Sequence, residues 1–192
     1  MENIYNFLME LDKLKSVYRR SYIHDTSRNE NSAEHSWHLA LALLTLQQEL
    51  DINIDMHKAI KMALVHDICE IGAGDISIYD PDRSTKVFEE TKYIEKLSQA
   101  PINFAADIKL LWEEYESQTS PESRWVKIID RLLPFIMNMR TDGKTWLEQG
   151  VSKSQVIEVN QLAAVEAPEV YRWILDQIDI AVSRGWLIDS SG

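Results

Sequence analysis

KMALVHDICEIGAGD, residues 61–75, is the stretch on which the reading of this chain turns. Its apolar residues recur at three- and four-residue steps, the period of a helix packed on one face. Asp55 is placed to cap that helix and Gly72 to stop it, so the predicted element runs over about 55–71. The pattern carries two polar residues, His66 and Asp67, into an apolar setting, about 100° apart around the helix axis. An imidazole and a carboxylate in such a place need compensation, because polar burial without a partner costs several kcal/mol. A shared divalent cation is one form of compensation.

Two more metal-capable side chains stand in similar surroundings. His35 lies in AEHSW and Asp130 in KIIDRLL, giving the order H…HD…D along the chain. The spacing predicts helices over about 31–50 and 122–140 for these segments. Asn31 or Ser32 serves as the cap of the first. Taken singly, a histidine in an apolar helix is more often structural than a ligand; the ordered set carries the metal reading. His35, His66, Asp67 and Asp130 make a mixed nitrogen and oxygen donor set, suited to one Mn, Co, Fe, Ni, Zn or Mg ion. Glu70 follows Asp67 by three residues and shares its helix face one turn on. Asp75 comes after two glycines, just past the helix end.

Helical periodicity dominates the rest. Ile4, Phe7, Leu8, Leu11 and Leu14 predict a first amphipathic helix. Others are predicted over about 84–99, 102–118, 153–166 and 168–185. Pro134 is expected to kink the helix carrying Asp130 or to end its first half. Alternating strand patterns, repeats and low-complexity linkers are not apparent. The expected class is all-α, a bundle of about seven or eight helices in one domain over residues 1–192. Two polar loops, 19–31 and 72–83, flank the metal-capable segments, where binding groups tend to sit.

Composition narrows the partners. The net charge is −11, from 31 acidic and 20 basic residues. Such a balance argues against an extended nucleic acid, which is held by many lysines and arginines, but allows a small phosphorylated substrate. The single cysteine, Cys69, fits a reducing compartment. No signal-peptide pattern and no apolar run of about 18 residues are read from the sequence. A cytoplasmic location and no membrane partner are therefore expected.

The segments RNENSAEHSW, ALVHDICEIGAGDI and KIIDRLLP, in that order, resemble the HD-domain phosphohydrolase superfamily. Within it they are most similar to the branch of bacterial 5′-deoxynucleotidases and their HD-domain-containing-2 relatives. The resemblance covers roughly residues 1–180 and implies an HD-domain helical bundle. It also implies that His35, His66, Asp67 and Asp130 hold the metal, that Glu70 activates or positions the attacking water, and that Asp75 lies near the substrate. The family's phosphate-contacting arginine corresponds to Arg20, with Arg19 as the alternative. Where the nucleotidase pattern has tryptophan after that arginine, this chain has Ser21. The implied reaction is hydrolysis of a small phosphomonoester, a (deoxy)nucleoside 5′-monophosphate, by a homodimer.

Two alternatives stay open on sequence. One is hydrolysis of another phosphoester, an alarmone or a cyclic nucleotide. Alarmone hydrolases carry a second acid directly after the glutamate, where this chain has Ile71. The other is a non-catalytic module stabilised by a metal.

Overall fold

The computed structural model describes residues 1–80 and 84–189. The loop expected over 72–83 is therefore described as far as Asp80, and residues 81–83 lie outside the described residues. The fold is predominantly α-helical, with a minor two-stranded sheet. Two compact units divide the chain. The first takes in residues 1–19 and 30–127, the second 20–29 and 128–192.

In the first unit, helix α1 (Glu2–Asp12) runs into a 3₁₀ turn at Lys13–Ser16. Phe7 and Leu14 are its buried residues, while Ile4 and Leu8 of the predicted apolar stripe are exposed. Helix α2 (Ser32–Glu49) packs against α3 (Met56–Val65). Short α4 (Glu70–Ala73) packs on α5 (Ser84–Ser98), and α6 (Asn103–Ser117) lies against both α3 and α5. Phe7, Leu14, Val65, Ile68, Ile94, Ile108 and Trp112 fill the core among these elements. Burial of that apolar surface, more than any single polar contact, holds the unit together.

Helix α7 (Pro121–Arg140) begins in the first unit and ends in the second. The second unit continues with α8 (Lys144–Gln149), α9 (Lys153–Val159), α10 (Gln161–Glu166) and α11 (Pro168–Ser183). Phe135 packs on the rings of Trp146 and Trp173, at 5.4 and 5.9 Å between centroids. Ile174 and Ile178 are fully buried there. Among the described residues no helix is long and apolar enough to cross a membrane.

Three expectations change. Residues 19–31 are not simply a loop: β1 (Tyr18–Tyr22) pairs with β2 (Asn29–Asn31). Strands of five and three residues, mostly polar, are too short to display an alternating pattern. The predicted 55–71 helix is interrupted at residues 66–69. There the backbone shortens its step, with Glu70 N–H donating to the Asp67 carbonyl at 3.0 Å and Ile71 N–H to the Ile68 carbonyl at 3.2 Å. Such i→i+3 tightening within a helical run often marks a functional segment. Finally, of the two outcomes expected at Pro134, a kink or an end, the end does not occur: α7 runs on through it, and the Asn138 side chain donates to the Pro134 carbonyl at 3.1 Å.

Candidate metal centre

The first unit gathers its polar side chains from α2, the α3–α4 junction, Arg19 and Glu30. Asn31 caps α2: its side chain accepts from the Glu34 N–H at 2.9 Å, and Glu34 accepts from the Asn31 N–H in return. This reciprocal cap starts the helix one turn before His35. His35 is 1% exposed, and its ring lies 5.5 Å from that of His66, which is 2% exposed. The Tyr115 ring stands edge-on to His66, with 5.0 Å between centroids.

His66 is oriented by its own helix. Its Nδ1 lies 2.9 Å from the Ala63 carbonyl. A carbonyl only accepts, so in the neutral ring Nδ1 carries the proton and Nε2 the lone pair. Nε2 faces Asp67 Oδ1 at 3.1 Å. The other Asp67 oxygen accepts from Arg19 Nη1 at 2.7 Å. His35 is oriented similarly, with Nδ1 3.5 Å from Glu30 Oε2. Glu30 also lies 3.7 Å from Arg19 Nε, so the arginine spans two carboxylates.

These residues fit a metal ion. Two acceptors, imidazole Nε2 and carboxylate Oδ1, repel at 3.1 Å unless a cation is shared between them, either a second ring proton or a metal. A histidine whose far nitrogen bonds a carbonyl or carboxylate is the arrangement metal sites use to fix tautomer and ring plane. His66 has it, and His35 has a carboxylate oxygen of Glu30 3.5 Å from its Nδ1.

Glu70 lies at the start of α4 and is 3% exposed. Ser32 Oγ donates to its Oε2 at 2.6 Å and Lys86 Nζ to its Oε1 at 3.0 Å. Burial, then the Asp67 charge, push the Glu70 carboxyl up to about 8, against the opposing pull of Arg19 and Lys86. A carboxyl near neutrality can both take and return a proton. Burial works against the Lys86 charge, yet the Glu70 and Glu90 carboxylates outweigh it and hold the ammonium above the ordinary lysine range.

Arg19, His35, His66, Asp67 and Glu70 thus belong to one unit and interlock. Asp75 is half-buried after Gly74, near enough for its charge to raise Glu70. Asp130 is 7% exposed, on the part of α7 that belongs to the second unit, with Arg131 Nε 3.8 Å from its Oδ2. Arg20 also belongs to the second unit and its side chain is exposed. The sequence reading gave no role to Glu30, Lys86 or Glu90 and took Ser32 only as a possible cap. Lys86 is 5% and Glu90 9% exposed, whereas Val87 and Phe88 between them are exposed at 53% and 69%. The four-residue spacing of Lys86 and Glu90 signals an ion pair, but not which face of the helix is buried.

Comparison with known proteins follows the same line. The HD-domain family model matches residues 11–171. A curated relative, 5′-deoxynucleotidase HDDC2 of Danio rerio, is 30% identical over 135 residues, covering 69% of this chain and 66% of the relative. The chain thus matches a little under two thirds of that relative's length. The 5′-deoxynucleotidase YGK1 of Saccharomyces cerevisiae is 29% identical over 167 residues, 81% of this chain and 76% of that one. Among solved structures, a "Predicted metal-dependent phosphohydrolase" from Magnetospirillum magnetotacticum superposes with a TM-score of 0.89 at 34% identity. That match covers 97% of this chain and 94% of the other.

Proposed function

This chain belongs to the HD-domain family, and on that premise we propose that it is a divalent-metal-dependent phosphohydrolase that releases phosphate from a (deoxy)nucleoside 5′-monophosphate. The observation that carries the reading is the pairing of His66 Nε2 with Asp67 Oδ1 at 3.1 Å, beside His35 and the buried Glu70. Both units together form one HD domain in this reading, since the family match runs across them. His35, His66, Asp67 and Asp130 hold the ion. Bound there, a divalent cation supplies Lewis acidity toward a phosphoryl oxygen and makes water a competent nucleophile near neutral pH.

The chain's own residues do the rest. Glu70 takes the proton of the attacking water, for which its raised carboxyl is suited. Of the two arginines, Arg20 was expected first and Arg19 as the alternative; we assign the substrate phosphate to Arg19, because it lies against Asp67 while Arg20 is exposed, and its planar fork of donors suits paired bonds. Asp75 borders the substrate beyond Gly74. The names of the relatives in fish and yeast support a deoxynucleotide as substrate. A homodimer in the cytoplasm completes the proposal, supported by Trp37, Leu41 and Leu44, exposed at three- and four-residue spacing on α2.

The test is a panel of nucleoside and deoxynucleoside monophosphates assayed for phosphate release with Mn, Co, Mg or Zn. Release from at least one, lost on chelation, is expected. Metal bound without turnover on any member would sink the proposal. His66→Ala and Glu70→Gln separate the roles: the first is expected to lose metal, the second to keep metal and lose turnover.

A further inference from the structure

Helix α5 is built against its own amphipathic logic. Lys86 and Glu90 point into the protein while Val87 and Phe88 face outward. Local rules are broken in this way mostly where function requires it. The Lys86 ammonium lies 3.0 Å from Glu70 Oε1 and 3.0 Å from Glu90 Oε1. Stability alone does not account for this cluster, because buried ion pairs replaced by well-packed apolar residues often leave a fold no less stable.

The geometry does account for it. Glu70 has one oxygen held by Lys86 and the other by Ser32 Oγ, at 2.6 Å. With both oxygens anchored, from α5 and from the start of α2, the carboxylate plane has one orientation. Glu90, one turn after Lys86, anchors the ammonium in turn.

We infer that Lys86 is a positioning residue for Glu70, its buried ammonium fixing the carboxylate that handles the proton of the attacking water. The inference rests on the proposed hydrolase reading and goes beyond it in assigning α5 a part in turnover. Lys86 touches neither substrate nor metal in this account. It acts through Glu70, so its loss lowers the rate of the chemical step without weakening binding.

The experiment uses the full chain loaded with Mn and a deoxynucleoside 5′-monophosphate such as dAMP. Lys86→Met is expected to lower kcat by about 100-fold, the scale on which a small misplacement of a catalytic group acts. KM and metal content should stay within about twofold, and Lys86→Arg should restore most of kcat. If Lys86→Met does not fold, Lys86→Gln, one atom shorter than lysine but neutral and polar, is read by the same criteria. An unchanged kcat in the neutral variants would overturn the inference. So would a KM or metal content that collapses along with kcat, or a Lys86→Arg variant no better than Lys86→Met. Glu70→Gln run alongside separates two failures. If it retains wild-type kcat, the reading of Glu70 falls and this inference with it. If it is inactive while Lys86→Met turns over normally, only the role of Lys86 falls.

Discussion

Arg19 and Arg20 are neighbours in sequence and opposites in setting. The Arg19 guanidinium reaches Asp67 at 2.7 Å and lies near Glu30, whereas the Arg20 side chain is exposed. Hydrogen bonds to charged groups contribute about 1.5–3 kcal/mol, so Arg19→Met is expected to raise KM for a phosphomonoester roughly tenfold or more. Arg20→Met should change it less than about twofold, as exposed charges contribute little. Kinetics of the two variants decide between them, and equal effects would contradict the assignment. Glu70 supplies a second prediction. Its folded-state carboxyl is raised to about 8 from an ordinary 4.5, so the folded protein holds this proton more tightly than the unfolded chain does. That contribution to stability is fully present below pH 4.5 and is lost as pH rises through about 8. The metal-free protein should therefore melt at progressively lower temperature across that window, and Glu70→Gln should flatten the trend. His35, His66, Asp67 and Glu70 were all legible as candidates, because ordered polar residues in apolar segments stand out. Glu30 and Lys86 were not, since a single charged residue in a polar stretch carries no sign of where its side chain ends.

At the scale of elements, caps were legible, and the breaks in the helices expected over 55–71 and 153–166 were not. Asn31 and Asp55 announce the starts of α2 and α3, and both caps are made. The interruption at 66–69 leaves His66 in right-handed helical backbone, so no residue of the type that usually breaks a helix marks it. Its consequence is that Glu70 opens a new short helix instead of continuing the old one. That helix is seated by a close approach. A Cβ on Gly72 would meet Tyr93 Cδ2 at 2.4 Å and Cγ at 2.7 Å. Gly72→Ala is thus expected to destabilise by about 1–3 kcal/mol through overpacking and to shift Glu70. Chemical denaturation together with kcat measures both effects. A variant of wild-type stability and turnover would show that α4 accommodates the change without moving. By contrast, Asn31→Ala removes only a cap, at a cost of about 0.5–2 kcal/mol.

Charge is a property of the whole molecule, and its sign bears on the proposed substrate. A chain at −11 repels a nucleotide dianion at long range, while Arg19 attracts it only within the site. The two contributions respond differently to salt. Long-range repulsion is screened once the Debye length falls to about 10 Å, near 0.1 M ionic strength, whereas a partly buried contact is screened less. Raising ionic strength from about 10 mM to 150 mM should therefore increase kcat/KM for a nucleoside monophosphate, roughly twofold or more, with kcat little changed. Enzymes that steer anionic substrates with a basic surface show the opposite slope. A fall in kcat/KM over that range would mean that the cationic groups at the site dominate the field felt by the incoming phosphate, despite the acidic surface. A net charge is legible from composition, but its local exceptions are set by which few cations the fold buries beside carboxylates. Arg19 and Lys86 are two such cations, and the salt slope reads whether the site or the surface governs approach.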